Sequence, residues 1–458
     1  MNRLNVSVLA ILVVAGSSLA AAPADPPAPR ENGAWEVSVR DEAGPRERFT
    51  LAEAIARARE QSPRLAQLRA LESAADAGIA GAKAQRMPSL DLVASYARNS
   101  RIPEFVLPPP IGVTVFEDIP DNWRTRLLVT APVYTGRRIE SGIAAASSER
   151  DAAASETRAG LGDLTLETTA AYWSLVTARE SAKVVAGALD AFEAHLADAR
   201  NREKFGMAAR NEVLAVEVER DRAHLAALRA DNAVEVANAN LVRLLGLPPE
   251  TRIEAAESLE TAEALRESIE RLVQEALAAR PERAALAARL SAAEARVEAE
   301  RSSRYPQVSA AAGYDYASPN PHYLPPQDAW KSSWNVGVGL SLSVLDGGRT
   351  RAAVAQAAAL ADAIRRQIDD LDRRIRLDVT ARLLDVRTAG AAVTVASNGL
   401  TSAKENRKVS ADRYRAGVGL SSDLLDAETG LLRAGLERTA AFAGLRLALA
   451  SLDRSAGR

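Results

Sequence analysis

Few residues in this sequence have the types and spacing that catalysis requires. The chain has three histidines, His195, His224 and His322, and no cysteine. The histidines are scattered and are typical of helix surfaces or loops, not of a metal site. The sequence has no phosphate-binding glycine loop, no zinc-type His-Glu spacing and no nucleophile elbow. We therefore predict that the protein is not an enzyme and that it needs no metal or cofactor.

Four charged residues alternate with apolar residues in short segments of the chain. They are Asp91, Arg124, Arg126 and Asp315. In a strand, such alternation places the charged residues on one face and the apolar residues on the other. If these strands close into a barrel, the charged face lines the lumen. There the four residues would either bias the passage of ions or simply be solvated.

The elements that must position these residues occur twice in the chain. The repeated positions include prolines, aromatic residues, glycines and one glutamate. They are Pro63 and Pro281, Pro88 and Pro306, Tyr96 and Tyr314, Trp123 and Trp334, Gly206 and Gly417, and Glu217 and Glu428. An internal repeat indicates that like units pack against one another.

Each repeat is predicted to begin with a helix. Thr50 and Glu53 form a capping-box pattern, and we expect the helix that follows to extend to about Arg86. Its counterpart is expected from about Ser268 to about Arg304, with a weaker cap.

Two much longer helices are predicted in the proline-free parts of the chain, residues 133–247 and 327–458. Matched turn signals occur at Gly206 and Gly417. Each part is therefore expected to form one helix of roughly 68 residues, a turn and a shorter returning helix. At about 1.5 Å per residue, the longer helix spans about 100 Å.

Four segments have the two-residue period of strands, with aromatic residues near their ends. The strands are expected at about 88–100, 122–134, 306–318 and 333–345. The aromatic residues are Tyr96, Trp123, Tyr314 and Trp334. Strands of this length with one apolar and one polar face are typical of a transmembrane barrel. Each segment alone fits a half-buried strand of a soluble sheet equally well.

The N-terminal residues resemble a secretory signal peptide. Residues 1–22 contain Arg3, a mostly apolar run and small residues near Ala20 to Ala22, where we expect cleavage. The absence of cysteine excludes an acylated cysteine after the signal, so lipidation is not expected. The charge is balanced, with 58 Lys and Arg against 60 Asp and Glu, and no basic block predicts nucleic-acid binding.

The chain is expected to divide into five parts. A mostly irregular lead-in follows the signal peptide at 23–48, and the first repeat covers 49–248. A linker at 249–266 leads to the second repeat, 267–458.

Several segments, in order and duplicated, resemble the TolC-type outer membrane efflux family over nearly the whole mature chain. They are the opening helix 50–55, the strand-to-helix junctions 132–138 and 343–349, the helical hairpin 414–428 and the mid-chain segment 244–248. The resemblance implies a mainly α fold with transmembrane β structure. Each chain of a homotrimer would contribute four strands to one twelve-stranded outer membrane barrel, and its helices to a long periplasmic helical barrel. Four strands alone cannot close a barrel, so an oligomer is expected on physical grounds as well.

By the same resemblance, the protein is the exit duct of a tripartite efflux or type I secretion system in the outer membrane of a Gram-negative bacterium. Its partners would be outer membrane lipid, a periplasmic membrane-fusion adaptor and an inner-membrane pump of the RND or ABC type. The adaptor would dock at the hairpins, with Gly206, Gly417, Val418 and Leu420 as contact candidates. The glycines are needed to turn the chain in either case.

Asp423 and Asp426 lie one helical turn apart near the predicted hairpin. In a trimer they would form a ring of carboxylates, a candidate periplasmic gate. Asp423 is equally explained as a solvated charge near a helix N-terminus. The alternative to a channel is an exported coiled-coil scaffold, which shares the helices but gives no reason for four amphipathic strands.

Overall fold

The computed structural model describes residues 45–260 and 268–458. The predicted signal peptide and nearly all of the lead-in lie outside these residues, as does the end of the linker. Two long helical hairpins and a four-stranded sheet make up most of the described chain. The helices are α1 (Leu51–Gln61), α2 (Pro63–Ala84), α3 (Arg138–Lys204), α4 (Arg210–Leu245), α5 (Ile269–Ala279), α6 (Pro281–Arg301), α7 (Arg349–Arg415) and α8 (Ser421–Ala456).

The opening helix of each repeat is two helices, not the single helix that the sequence analysis predicts. The capping box of Thr50 and Glu53 is present, but α1 ends at Gln61 because Ser62 is extended and Pro63 starts α2. Arg280 and Pro281 separate α5 from α6 in the same way. Proline disfavours helical geometry in the residue before it and is well placed in a first helical turn.

The long helices confirm the prediction from the proline-free segments. Helices α3 and α7 have 67 residues each, and the returning helices α4 and α8 have 36 each. The hairpins α3–α4 and α7–α8 also pack on each other, chiefly through α3 and α8. Where α1 packs on α3 and α4, a core forms around the fully buried Tyr172 and Leu245. Helix α5 forms an equivalent core with α7 and α8 around Ile375.

The strands are β1 (Arg46–Phe49), β2 (Ser89–Arg98), β3 (Phe105–Val106), β4 (Thr114–Phe116), β5 (Asp121–Tyr134), β6 (Arg252–Ala255), β7 (Gln307–Ser318) and β8 (Lys331–Ser341). Strands β2, β5, β7 and β8 pair in that order as an antiparallel sheet. The loop between β2 and β5 contains the short hairpin β3–β4. Strands β1 and β6 form a separate parallel pair.

Strand β8 ends at Ser341, earlier than the predicted position of about 345. Ser341 pairs with Gln307, the first residue of β7. Residues beyond Ser341 therefore have no neighbouring strand in this chain with which to continue the ladder.

Two strands of the sheet have an unpaired edge. Strand β2 pairs only with β5, and β8 pairs only with β7. Every residue of β2 and most residues of β8 are exposed. Within the described ranges, none of the helices has both the length and the apolar character needed to span a membrane.

Candidate functional site

One face of the four-stranded sheet carries the charged residues that the sequence analysis selected. Arg126 pairs directly with Asp315 across β5 and β7, and Arg124 pairs with Ser95 of β2. Direct partners in an antiparallel ladder point to the same side. We call this side the polar face, defined by Asp91, Ser95, Arg124, Arg126, Asp315 and Asn335.

Three of the four predicted charged residues lie together and the fourth does not. The Nε atom of Arg124 donates a hydrogen bond of 2.7 Å to Oδ1 of Asp315, and Nε of Arg126 lies 3.9 Å from Oδ2. The Asp315 side chain is only 1% exposed. We refer to Arg124, Arg126 and Asp315 as the arginine cluster. Asp91 lies toward the helical end of the sheet, where its carboxylate accepts a hydrogen bond from Ser89.

The opposite side of the sheet, the apolar face, carries the predicted aromatic residues. Tyr96 and Trp123 are direct partners with ring centroids 4.3 Å apart, and Tyr314 pairs with Trp334. All four side chains are exposed in the single chain. The four predicted aromatic residues do not include Tyr316 and Trp330, whose rings stack beside this group with centroids 4.9 Å apart.

A further aromatic residue, Tyr134, lies at the other end of β5. A bulge between Pro132 and Tyr134 shifts the alternation, so that Tyr134 pairs with Val308 of the apolar face. Strict two-residue alternation from Trp123 would place Tyr134 on the polar face, so only the bulge reveals that it belongs to the apolar face. The strand from Trp123 to Tyr134 is roughly 36 Å long, and a tilt of about 45° gives an apolar band about 25 Å high.

The two helical hairpins turn with the same backbone. Gly206 and Gly417 have φ values of 72° and 74°, in the left-handed region that favours glycine. The amide of the next residue, Met207 or Val418, donates to the carbonyl of Arg202 or Arg413. Both tips present exposed apolar side chains, and the sequence analysis found only those of the second hairpin, Val418 and Leu420. Phe205 and Met207 of the first tip are 78% and 69% exposed.

The two candidate gate residues near the second tip are both exposed. Asp426 lines a groove between the N-terminal parts of α4 and α8 together with Glu212, Glu219 and Arg222. Asp423 does not line this groove. Asp423 and Asp426 therefore have different surroundings, although their spacing in the sequence gives no reason to distinguish them.

A buried polar network joins the second hairpin to α3, and the sequence analysis was wrong about its central residue. His195 was interpreted as a surface or loop histidine, but its side chain is 1% exposed. Its Nδ1 lies 3.4 Å from Oε2 of Glu428, and its Nε2 lies 3.2 Å from Oγ of Ser421. Arg407 approaches the other Glu428 oxygen at 3.8 Å. These partners come from α7 and α8, so no local pattern around His195 could have identified them.

Tyr414 covers the same network from α7. Its ring lies edge-on to His195 at 5.2 Å, and the Arg202 guanidinium lies over it at 4.2 Å. Burial raises the pKa of the Tyr414 phenol above its usual value. Among residues 45–260 and 268–458, no group of three or more His, Asp or Glu side chains is arranged to hold a metal ion.

An amphipathic sheet with open edges, packed on helices about 100 Å long, is the combination expected of an outer membrane channel with a long helical part. The family described as "Outer membrane efflux protein" matches residues 54–247 and 272–458, which is most of the chain. The chain belongs to this family. It is an outer membrane exit duct for efflux or secretion, as the TolC-type resemblance predicts, and not a coiled-coil scaffold.

The chain is also similar to one curated protein in sequence and to solved structures in fold. Protein CyaE of Bordetella pertussis (strain Tohama I) is 26% identical over 421 residues, which cover 89% of this chain and 84% of CyaE. The outer-membrane channel OprN has a similar fold, with a TM-score of 0.74 and 20% identity over 89% of each chain. The outer membrane protein VceC of Vibrio cholerae has a TM-score of 0.72 and 19% identity, over 89% of this chain and 96% of VceC.

Proposed function

We propose that three copies of this chain close their sheets into one twelve-stranded barrel, with the polar face inside and the apolar face against lipid. The observation that carries this proposal is the pair of open edges. Strands β2 and β8 each have one unpaired edge, and their apolar side chains, including Leu92 and Val336, are exposed. Unpaired backbone groups are not tolerated in lipid, so β2 of one copy must pair with β8 of the next.

The helices of the three copies then form a tunnel through the periplasm. The duct itself supplies no energy, because its polar face and its helical hairpins offer only a path and a docking surface. Arg124, Arg126, Asp315 and Asp91 line the barrel lumen in this arrangement. Tyr96, Trp123, Tyr314 and Trp334 form the aromatic belt at one membrane interface, where amphipathic rings are favoured.

The hairpin tips are the docking surface for a periplasmic membrane-fusion adaptor, which connects the duct to an inner-membrane pump. Gly206 and Gly417 shape the two turns, and Val418 and Leu420 supply exposed apolar contacts. Phe205 and Met207 extend the same surface to the first tip. Exposed apolar side chains at the end of a long helical hairpin mark an interaction site, because solvent alone does not favour them there.

Near these tips, Asp423 and Asp426 of three copies form two rings of carboxylates that act as a periplasmic gate. Asp426 is the stronger candidate because it shares its groove with Glu212 and Glu219. Residues 1–22 direct export and are removed near Ala20 to Ala22. With no cysteine available for acylation, the barrel is the anchor in the outer membrane.

Pairing between copies can be tested by cysteine cross-linking, because the natural chain has no cysteine that would give background. Leu92→Cys in β2 is combined in turn with Trp334→Cys, Val336→Cys or Val338→Cys in β8. We expect one or two of these combinations to give a covalent trimer on a denaturing gel and nothing larger. The single-cysteine variants serve as controls. A ladder that continues beyond three copies, or no cross-link in any combination, would contradict the proposal.

A further inference from the structure

The arginine cluster holds more positive than negative charge. Arg124 and Arg126 share the single carboxylate of Asp315, and Arg124 makes the short hydrogen bond to it. Among the described residues Arg126 makes no hydrogen bond, and its Nε atom is buried without a partner. One guanidinium is therefore neutralised in each chain and the other is not.

Gly313 provides the space in which Arg126 lies. A Cβ atom at Gly313 would be 3.0 Å from Nη2 of Arg126 and 2.7 Å from Oδ1 of Asn335. Any side chain at position 313 would therefore push the guanidinium or the amide away from β7. Glycine costs conformational entropy in a strand and is retained where another group must approach closely. Arg126 is thus seated in a defined position across the polar face.

Other charged residues at the end of the sheet farthest from the helices do not offset the excess positive charge of the arginine cluster. Ala317 of β7 pairs with Arg124 on one side and with Lys331 of β8 on the other. Lys331 therefore lies on the polar face and adds a third cation to it. Asp121 is turned to the other side, where it accepts a hydrogen bond from Tyr96 and pairs with Arg98.

A second nearby carboxylate, that of Asp328, accepts a hydrogen bond from Ser318, which pairs with Trp123 and so points to the apolar side of the sheet. The end of the polar face farthest from the helices therefore carries three cations and one anion. Three copies multiply this excess around one lumen.

The cluster remains accessible to solutes. The side chains of Arg124 and Arg126 are 40% and 32% exposed, although Asp315 is buried beneath them. A guanidinium presents several donors in a planar fork that matches carboxylate and phosphate oxygens. Charged rings at a constriction select ions of the opposite sign.

We propose that the arginine cluster is an anion-binding site at the outer end of the barrel. The site favours solutes that bear carboxylate or phosphate groups. Arg126 supplies the free donors, Arg124 and Asp315 fix the position of the pair, and Gly313 keeps the space open. This inference rests on the proposed closure of three chains into a barrel, because the polar face becomes a lumen only then.

The test is the reversal potential of the full-length mature protein in planar bilayers under a potassium chloride gradient, repeated with potassium phosphate. Arg126→Gln is compared with Arg98→Gln, which removes the same charge from the same sheet but outside the polar face. We expect Arg126→Gln to lower the anion-to-cation permeability ratio at least about twofold. Arg98→Gln is expected to leave it near the wild-type value, and Arg126→Lys is expected to retain most of it.

The outcomes separate the two proposals. If no variant and no wild-type protein forms channels, the closure of the barrel fails. If channels form but Arg126→Gln and Arg98→Gln have the same permeability ratio as the wild type, the proposed anion-binding site is contradicted and the proposed closure of the barrel is not. Gly313→Val provides a second check, because it should lower the ratio in the same direction while all charges are kept.

Discussion

The two helical hairpins share a backbone but differ in how they are attached to the rest of the molecule. Their glycines have nearly the same φ, and the residues before α4 and α8, Ala209 and Leu420, have almost identical dihedral angles. The repeated glutamates differ sharply. The Glu217 side chain is 32% exposed and pairs with Arg200 on the surface, whereas that of Glu428 is 4% exposed and faces His195 and Arg407.

The two repeats share the backbone of the turn but not the buried polar contacts around the repeated glutamate. The turn is encoded locally and is present in both halves. The polar network forms where Ser421 and Glu428 of α8 meet His195 of α3. The repeat counterparts of His195 and Ser421 are Asn406 and Arg210, so the residue types of the network are not repeated around Glu217. These buried polar contacts therefore hold the repeated glutamate of the second hairpin against α3 of the first, whereas Glu217 pairs with Arg200 at the surface.

The largest effect is expected at the repeated glutamates. Glu428→Ala should lower the free energy of unfolding by about 3 kcal/mol, because it leaves His195 buried without its carboxylate. Glu217→Ala, the matched control, should change it by less than about 0.5 kcal/mol, since an exposed ion pair contributes little. Guanidinium titration of the helical circular dichroism signal measures both. Equal losses would show that burial does not distinguish the two hairpins.

A smaller loss is expected when His195 is replaced by the residue of the other repeat. His195→Asn should cost about 1–3 kcal/mol, because the shorter side chain does not reach both Ser421 and Glu428. In a double-mutant cycle with Glu428→Ala, the two losses should fall short of additivity by at least about 0.5 kcal/mol. Additive losses would mean that the two side chains do not interact. Asn406→Ala in the other repeat is the control.

Replacing the glycine of either hairpin turn should lower the free energy of unfolding by the same amount. Gly206→Ala and Gly417→Ala each force a left-handed backbone on a residue with a Cβ atom, at a cost of about 1–2 kcal/mol. A Cβ would meet no atom within 4 Å at either site, so steric contact adds nothing. The same titration tests both variants. A difference larger than the error of the fits would contradict the equivalence of the two backbones.

The smallest effect concerns the strand-to-helix junctions, where Asp346 occupies the repeat position of Thr135. Hydrogen bonds from Thr350, and from the amide of Gly348, lower the Asp346 pKa to about 2. The pKa of Asp346 is lower in the folded state than in the unfolded state. Its contribution to the free energy of unfolding is therefore complete above about pH 4 and is lost as the pH falls through about 2. Thr135, which accepts from the Ile139 amide, does not titrate.

The unfolding midpoint of the wild type should therefore fall more steeply between pH 4 and about 2 than that of Asp346→Asn. Thermal unfolding at several pH values measures this slope for both proteins. Parallel curves would mean that Asp346 does not cap α7.

Local patterns account for most of the fold and for part of the site. The absence of proline predicted α3 and α7, and two-residue alternation predicted the polar face that carries Arg124, Arg126 and Asp315. The break before Pro63 also has a local signal, because a serine followed by a proline is typical of a helix start. By contrast, the burial of His195 depends on residues more than 200 positions away, and the place of Tyr134 depends on a bulge. Neither is visible in a short window of sequence.

Three copies of this chain are proposed to form a closed, gated channel. Single-channel conductance of the purified mature protein in planar bilayers, with its oligomeric mass measured in the same detergent, tests it most directly. We expect a trimer with discrete and mostly low conductance, which rises when Glu428→Ala loosens the second hairpin. A monomer that stays soluble without detergent and never inserts would contradict it.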